Sequence, residues 1–159
     1  MVATVIKQLK SLSLAHKLTS RKAGKCCRLH GHNYQITVFY EDEVDEETGM
    51  VLNFSEFDLL EEFISWLFDH RAVKKATRHT KDYLAFPFEP TAEMLAATIA
   101  YSAFLTLKPS AHGAIMVQVS ETDRCAARYR LALGGLPEKL EDWIVDMLSR
   151  FRVGGVAHE

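Results

Sequence analysis

The first 40 residues contain no aspartate or glutamate, although the 159-residue chain carries 21 acids against 19 Lys and Arg. That stretch nevertheless holds Lys7, Lys10, Lys17, Arg21, Lys22, Lys25 and Arg28, and the acids crowd instead into Glu41 to Glu62. The chain has no apolar run near the ~18 residues that a membrane helix needs, so no membrane partner is expected. Its N-terminus lacks the charged-then-apolar layout of a signal peptide. Three cysteines, two of them adjacent, make a poor disulfide framework, and the reduced thiols of a cytoplasmic protein fit better. There is no internal repeat and no low-complexity tract. The length suits a single domain that buries about two-thirds of its unfolded surface.

Hydrophobic patterning gives the expected elements. Residues 2–16 read as one strand, 17–29 as a basic loop, and 34–40 as a second strand with alternating inward residues. An acidic hairpin connection follows, ending at Gly49, and residues 50–54 read as a strand segment. Ser55 to Asp58 resembles a capping box opening a helix that carries Leu59, Leu60, Phe63, Ile64 and Leu67. Residues 71–89 lack periodicity and are assigned to a loop. A second helix starts at Pro90-Thr91, with Thr91 as cap, and is stopped by Lys108-Pro109. Residues 114–119 and 126–133 form a closing strand pair. From Pro137, Leu140, Ile144, Met147, Leu148 and Phe151 share one face of a third helix, and the tail from Gly154-Gly155 is expected to be unstructured. This order gives an α+β fold, an antiparallel sheet with helices on one face.

Chemistry concentrates in Cys26-Cys27-Arg28-Leu29-His30-Gly31-His32. At the start of a strand, His30 and His32 point to the same face, and Gly31 lets the backbone approach closely. With His16 they offer three imidazoles, a set that suits Zn²⁺ and leaves a fourth position open. The alternative is a chance polar turn before a strand. Cys26, beside Lys25 and Arg28, is a candidate base or nucleophile, or else a small buried hydrophobe; Cys27 is either a bystander thiol or a fourth metal ligand. Cys125 is expected to be a small buried hydrophobe. In Asp69-His70 a carboxylate can orient an imidazole for proton transfer, or the pair can be a solvent-facing helix end. Glu121 can take two hydrogen bonds from an aminopyrimidine edge or lie in solvent at a strand end. Because the cations from Lys17 to Arg28 lie between the proposed metal ligands, they point to a small polyanion, a triphosphate, rather than to nucleic acid; the alternative, and the better reading for any single lysine, is a solvated loop. His79 and His112 are expected at the surface.

Five motifs in order, Ala15-His16, Cys26 to His32, Asp69-His70, Thr91-Ala92-Glu93 and Glu121-Thr122, resemble the 6-pyruvoyl- and 6-carboxy-tetrahydropterin synthase family. The resemblance implies a tunnel-forming ββααββ unit assembling into a homo-oligomer, a hexamer built as a dimer of trimers. It divides the chain into a pterin synthase-like domain, 1–135, and a C-terminal helical extension and tail, 136–159. It further implies Zn²⁺ on His16, His30 and His32, and a catalytic set of Cys26, Asp69 and His70, often shared across a subunit interface. Glu121 is implied to anchor the pterin, with Thr91 and Glu93 supporting it and Lys25 and Arg28 near the triphosphate.

Three residues between Cys26 and His30 resemble the 6-carboxy branch. That implies conversion of 7,8-dihydroneopterin triphosphate to 6-carboxy-5,6,7,8-tetrahydropterin with loss of acetaldehyde and triphosphate, feeding 7-deazaguanine and queuosine synthesis. The rivals are the 6-pyruvoyl reaction, aldolase-like cleavage to 6-hydroxymethyl-dihydropterin, and a non-catalytic zinc- or pterin-binding role. Family members doing the aldolase-like cleavage use a Glu near the histidines, and none lies between Cys26 and His32. The chain departs from the family pattern in Arg71-Ala72-Val73 after His70, in a longer loop before Pro90, in Asn53-Phe54, and in the terminal helix.

Overall fold

A computed structural model describes residues 1–77, 83–132 and 135–154. The sheet is built around one long strand, β3 (His30–Glu43), preceded by β1 (Val2–Gln8) and β2 (Leu12–Lys17). Both earlier strands pair antiparallel with β3, β2 with its first half and β1 with its second. The single strand expected over 2–16 is therefore two, interrupted at residues 9–11. Along β3, Tyr34, Ile36, Val38, Tyr40 and Asp42 are buried while Asn33 and Gln35 are exposed. This period of two places every second side chain of the strand in the core.

The 17–29 segment, expected as a loop, contains a short 3-10 helix, Arg21–Cys27. Residues 50–54 do not form a strand. Asn53 instead accepts from Ser55 N at 3.1 Å while Glu56 Oε1 accepts from Asn53 N at 2.9 Å. That capping box starts the 3-10 turn Phe54–Phe57, which feeds α1 (Asp58–Phe68). The cap thus lies two residues earlier than the Ser55 start read from the sequence, because Asn53 supplies the oxygen.

Two short strands, β4 (Arg71–Lys75) and β5 (Leu84–Phe86), occupy part of the segment expected as a loop. β4 runs parallel to β2, and β5 parallel to β4. The sheet is therefore mixed: an antiparallel majority with a parallel flank. His79 lies outside the described residues. α2 (Ala92–Leu107) follows, capped by Thr91 Oγ1 accepting from Met94 N at 3.4 Å and ended by Lys108 in the left-handed region. β6 (Ala114–Thr122) and β7 (Cys125–Arg130) then extend the sheet beside β3, giving the order β5-β4-β2-β3-β6-β7.

α1 and α2 pack on the sheet with α3 (Glu138–Gly154), whose Leu140, Ile144, Met147 and Leu148 are buried as the helical spacing predicts. Phe151 packs at a tilt against Phe63 and Trp66, both at 5.6 Å between ring centroids, and Trp143 meets Phe86 edge-on at 5.2 Å. Of these, Phe63 and Phe86 are fully buried, and each such side chain contributes about 1.5–3 kcal/mol of transfer free energy. α3 runs through Gly154, one residue into the expected tail, and the remainder of that tail lies outside the described residues. Among the described residues, no helix is long and apolar enough to cross a membrane.

Candidate active site

Register places His16 directly opposite His30 across β2 and β3, with His32 two residues further along the same face of β3. Gly31 lies opposite Ala15, and a Cβ there would approach Leu14 O to 3.4 Å. The spacing read from His-Gly-His therefore brings three imidazoles together. One ring nitrogen from each lies within 4.8 Å of the other two.

Backbone carbonyls set how the rings present themselves. His16 Nδ1 lies 2.7 Å from Pro90 O, and His30 Nδ1 lies 2.8 Å from Arg28 O. A carbonyl only accepts, so each Nδ1 carries the proton and each Nε2 offers a lone pair. Those two Nε2 atoms are 3.0 Å apart, and His32 Nε2 is buried without a hydrogen-bond partner. An orphaned ring nitrogen beside two facing lone pairs fits a cation, and carbonyl-anchored imidazoles are the usual way of orienting metal ligands. The cluster could hold a metal ion. Burial, above all, pushes the His16 pKa below its ordinary value, overcoming the Pro90 carbonyl, with His30 adding to the depression. His16 is thus favoured in the neutral form that a metal ligand needs.

A cleft of about 230 Å³ opens beside this cluster, lined among others by His16, Cys26, Thr91, Glu93, Glu121 and Cys125. Cys26 is held there by the loop: Leu18 N donates to Cys26 O at 3.0 Å, and Thr19 N donates to Glu89 Oε2 at 2.8 Å. Thr19 Oγ1 donates to the other oxygen of the same carboxylate. Glu89 therefore ties the basic loop to the segment that supplies Pro90 O, a link invisible in sequence because it spans 70 residues. Cys27 turns its thiol back into the loop, donating to Ser20 O at 3.0 Å. Cys125, expected to be buried, is exposed at the cleft instead. It opens β7 at the β6–β7 turn, paired with Thr122 beside the register shift between Ser120 and Thr122.

Lys25 and Arg28 are exposed on the loop and do not line this cleft. Asp69 and His70 do not line it either. They follow α1, where His70 N donates to Ser13 O at 2.7 Å and Ser13 N donates to Asp69 Oδ1 at 2.9 Å. This clamp on β2 holds the His70 backbone at φ 55°, the left-handed region. Burial raises the Asp69 pKa, but the Ser13 N–H and the adjacent His70 outweigh it and leave the carboxyl below its ordinary value. The His70 ring is 81% exposed, with Nδ1 3.1 Å from Asp69 Oδ2. It lines a second concavity of about 480 Å³ with Ser13, Asn33 and Arg71. His112 is exposed, as expected.

Tyr34, read from the sequence only as a strand residue, also belongs to the site. It is buried with its hydroxyl 3.3 Å from Glu121 Oε1, and burial followed by the Glu121 charge drives its pKa far above the ordinary tyrosine value. The phenol stays protonated as a donor. Its signal in the sequence was its phase, two residues after His32 on the inner face.

Residues 5–132 match the family model described as 6-pyruvoyl tetrahydropterin synthase. A Bacillus subtilis protein named 6-carboxy-5,6,7,8-tetrahydropterin synthase is 30% identical over 132 residues, covering 79% of this chain and 84% of its own. A Poecilia reticulata 6-pyruvoyl tetrahydrobiopterin synthase is also 30% identical, over 133 residues, covering 77% and 81%. The solved structure of Caenorhabditis elegans 6-pyruvoyl tetrahydropterin synthase superposes with a TM-score of 0.65 at 25% identity, covering 83% of this chain and 97% of that one.

Proposed function

We propose that this chain, which belongs to the 6-pyruvoyl tetrahydropterin synthase family, converts 7,8-dihydroneopterin triphosphate and water to 6-carboxy-5,6,7,8-tetrahydropterin, acetaldehyde and triphosphate. The observation that carries this reading is a cleft lined by Cys26, Glu93, Glu121 and His16, the last of which is one member of the imidazole triad. Such a product would feed 7-deazaguanine and queuosine synthesis.

His16, His30 and His32 would hold the metal, and an all-nitrogen set of three with an open position suits Zn²⁺. When bound, the ion supplies Lewis acidity toward the oxygens of the substrate side chain. Glu121 takes the aminopyrimidine edge, supported by Thr91 and Glu93 at the start of α2, while Lys25 and Arg28 flank the triphosphate. Cys26 Sγ accepts a proton from the side chain. His70, oriented by Asp69, passes protons at its exposed Nε2 as triphosphate leaves and the carbon–carbon bond breaks. Because His70 faces outward on its own chain, we assign it to a neighbouring subunit's cleft in a homo-oligomer, a hexamer arranged as a dimer of trimers. The exposed Val2 and Ile6 on β1 give that strand an apolar surface for a neighbour to cover.

The 6-carboxy branch is favoured by the three residues between Cys26 and His30 and by the Bacillus subtilis relative. The equal identity to a 6-pyruvoyl enzyme keeps elimination without carbon–carbon cleavage as the second reading. Incubating zinc-loaded protein with 7,8-dihydroneopterin triphosphate and weighing the pterin product separates them. A 6-carboxy product with acetaldehyde supports the first reading and a 6-pyruvoyl product the second. No turnover by folded, metal-loaded protein would favour a binding role.

A further inference from the structure

Tyr34 stands between the two ends of the site. Its ring meets His16 edge-on, with centroids 6.1 Å apart and planes at 89°, and meets His32 at 5.3 Å and 67°. Its hydroxyl reaches past the imidazoles, lying 3.5 Å from both ring nitrogens of His16 and donating to Glu121 Oε1 at 3.3 Å. The next inward positions on β3, Ile36 and Val38, are aliphatic and fully buried, and the other inward tyrosine, Tyr40, also donates its hydroxyl to a carboxylate, Asp42 Oδ2 at 3.1 Å. A buried O–H is costly unless it is partnered, and here the carboxylate of Glu121 provides the partner. A carboxylate has about four acceptor sites on two oxygens, so the contact at Oε1 leaves Oε2 available to the cleft.

From this geometry we infer that Tyr34 is a positioning residue. Its hydroxyl fixes the orientation of the Glu121 carboxylate relative to the imidazole cluster, so one rigid phenol sets the separation between the group that grips the heterocycle and the groups that grip its side chain. The inference rests on the reading of Glu121 as the pterin anchor. It adds a residue that acts through Glu121.

Tyr34→Phe keeps the ring and removes only the O–H. Neopterin, a pterin without phosphates, serves as the probe, with affinity read by fluorescence and zinc content measured in parallel. The expected result is neopterin binding weaker by about tenfold, the loss of one hydrogen bond to a charged group, with zinc content unchanged. In a Glu121→Ala background, where the acceptor of the Tyr34 hydroxyl is gone, the same change should produce no further loss. Binding equal to wild type, additive losses, or a parallel fall in zinc content would each overturn the inference. 3-Fluorotyrosine at position 34 gives a readout that survives a poorly folding variant: its ¹⁹F resonance should shift on Glu121→Gln, and an unmoved resonance counts against the contact. Wild-type protein that takes no neopterin overturns the functional reading and this inference together. Wild-type binding with an unaffected Tyr34→Phe overturns the inference alone.

Discussion

The Nε2 atoms of His16 and His30 face each other at 3.0 Å across β2 and β3, while each ring's Nδ1 proton is committed to a backbone carbonyl. Two lone pairs so placed repel unless a cation or a shared proton lies between them. Divalent metal should therefore stabilise the fold by mass action, by about 4 kcal/mol at a thousand times its Kd. Melting with and without zinc, before and after chelation, reads this effect. His30→Ala should abolish the zinc-dependent rise, and an unchanged melting temperature in wild type would refute the site.

The two adjacent thiols face different surroundings: Cys26 the cleft, Cys27 the Ser20 carbonyl. Cys26→Ala should lower kcat by about a hundredfold or more, the usual scale for a proton-transfer group, with zinc content intact. Cys27→Ala should leave kcat within about twofold and lose at most about 1 kcal/mol of stability, one weak hydrogen bond. The reverse pattern would move the catalytic role to Cys27.

His70 is exposed and outside the cleft that holds Cys26. If it completes a neighbour's site, Cys26→Ala and His70→Ala proteins should each be inactive yet complement on mixing. After dissociation and reassembly, random association returns roughly a quarter of wild-type activity. Mixed oligomers without recovered activity would place both groups in the same chain's site, or exclude His70 from it.

Away from the site, Asp42 is buried where β3 meets the turn after α2. It accepts from Ser110 N at 2.8 Å, Ser110 Oγ at 2.5 Å, Glu43 N at 2.8 Å and Tyr40 Oη at 3.1 Å. Burial raises its pKa, but the Ser110 bonds and the rest prevail, leaving it below its ordinary value. A depressed folded pKa means the stability it confers is full above the unfolded carboxylate pKa of about 4 and is lost as pH falls through the folded value. Asp42→Asn should cost about 2 kcal/mol at pH 7 and flatten the acid limb of stability below about pH 4. Denaturant unfolding at pH 7 and pH 3 checks both. An acid limb as steep as wild type would reject the assignment.

Much of this site was legible because its signals are local. Two histidines flanking a glycine carry their own geometry once they fall on a strand, and the helical spacing of Leu140, Ile144, Met147 and Leu148 located α3. What escaped depends on partners far away in the chain. Arg71–Lys75 has no alternation to mark it as a strand, and becomes one because β2 offers it a free edge. Glu89 gains a role only when the basic loop folds over it. Cys125 looked apolar, but its turn position exposes it. Tyr34 is indistinguishable from a core tyrosine until Glu121, 87 residues later, arrives at its hydroxyl.

At His70 the backbone lies in a region that side chains with a Cβ disfavour by about 1–2 kcal/mol and glycine enters freely. The clamp to Ser13 imposes that conformation whatever residue stands there. Relief of about 1–2 kcal/mol of strain exceeds the extra unfolded-state entropy of glycine, about 0.4–1 kcal/mol, so His70→Gly should raise the unfolding free energy by up to about 1 kcal/mol while removing the imidazole. Thermal robustness and the proposed proton transfer pull this one position in opposite directions. A screen for heat tolerance alone would drift toward losing the histidine, and the better-folded protein it returned would lack the proposed proton carrier.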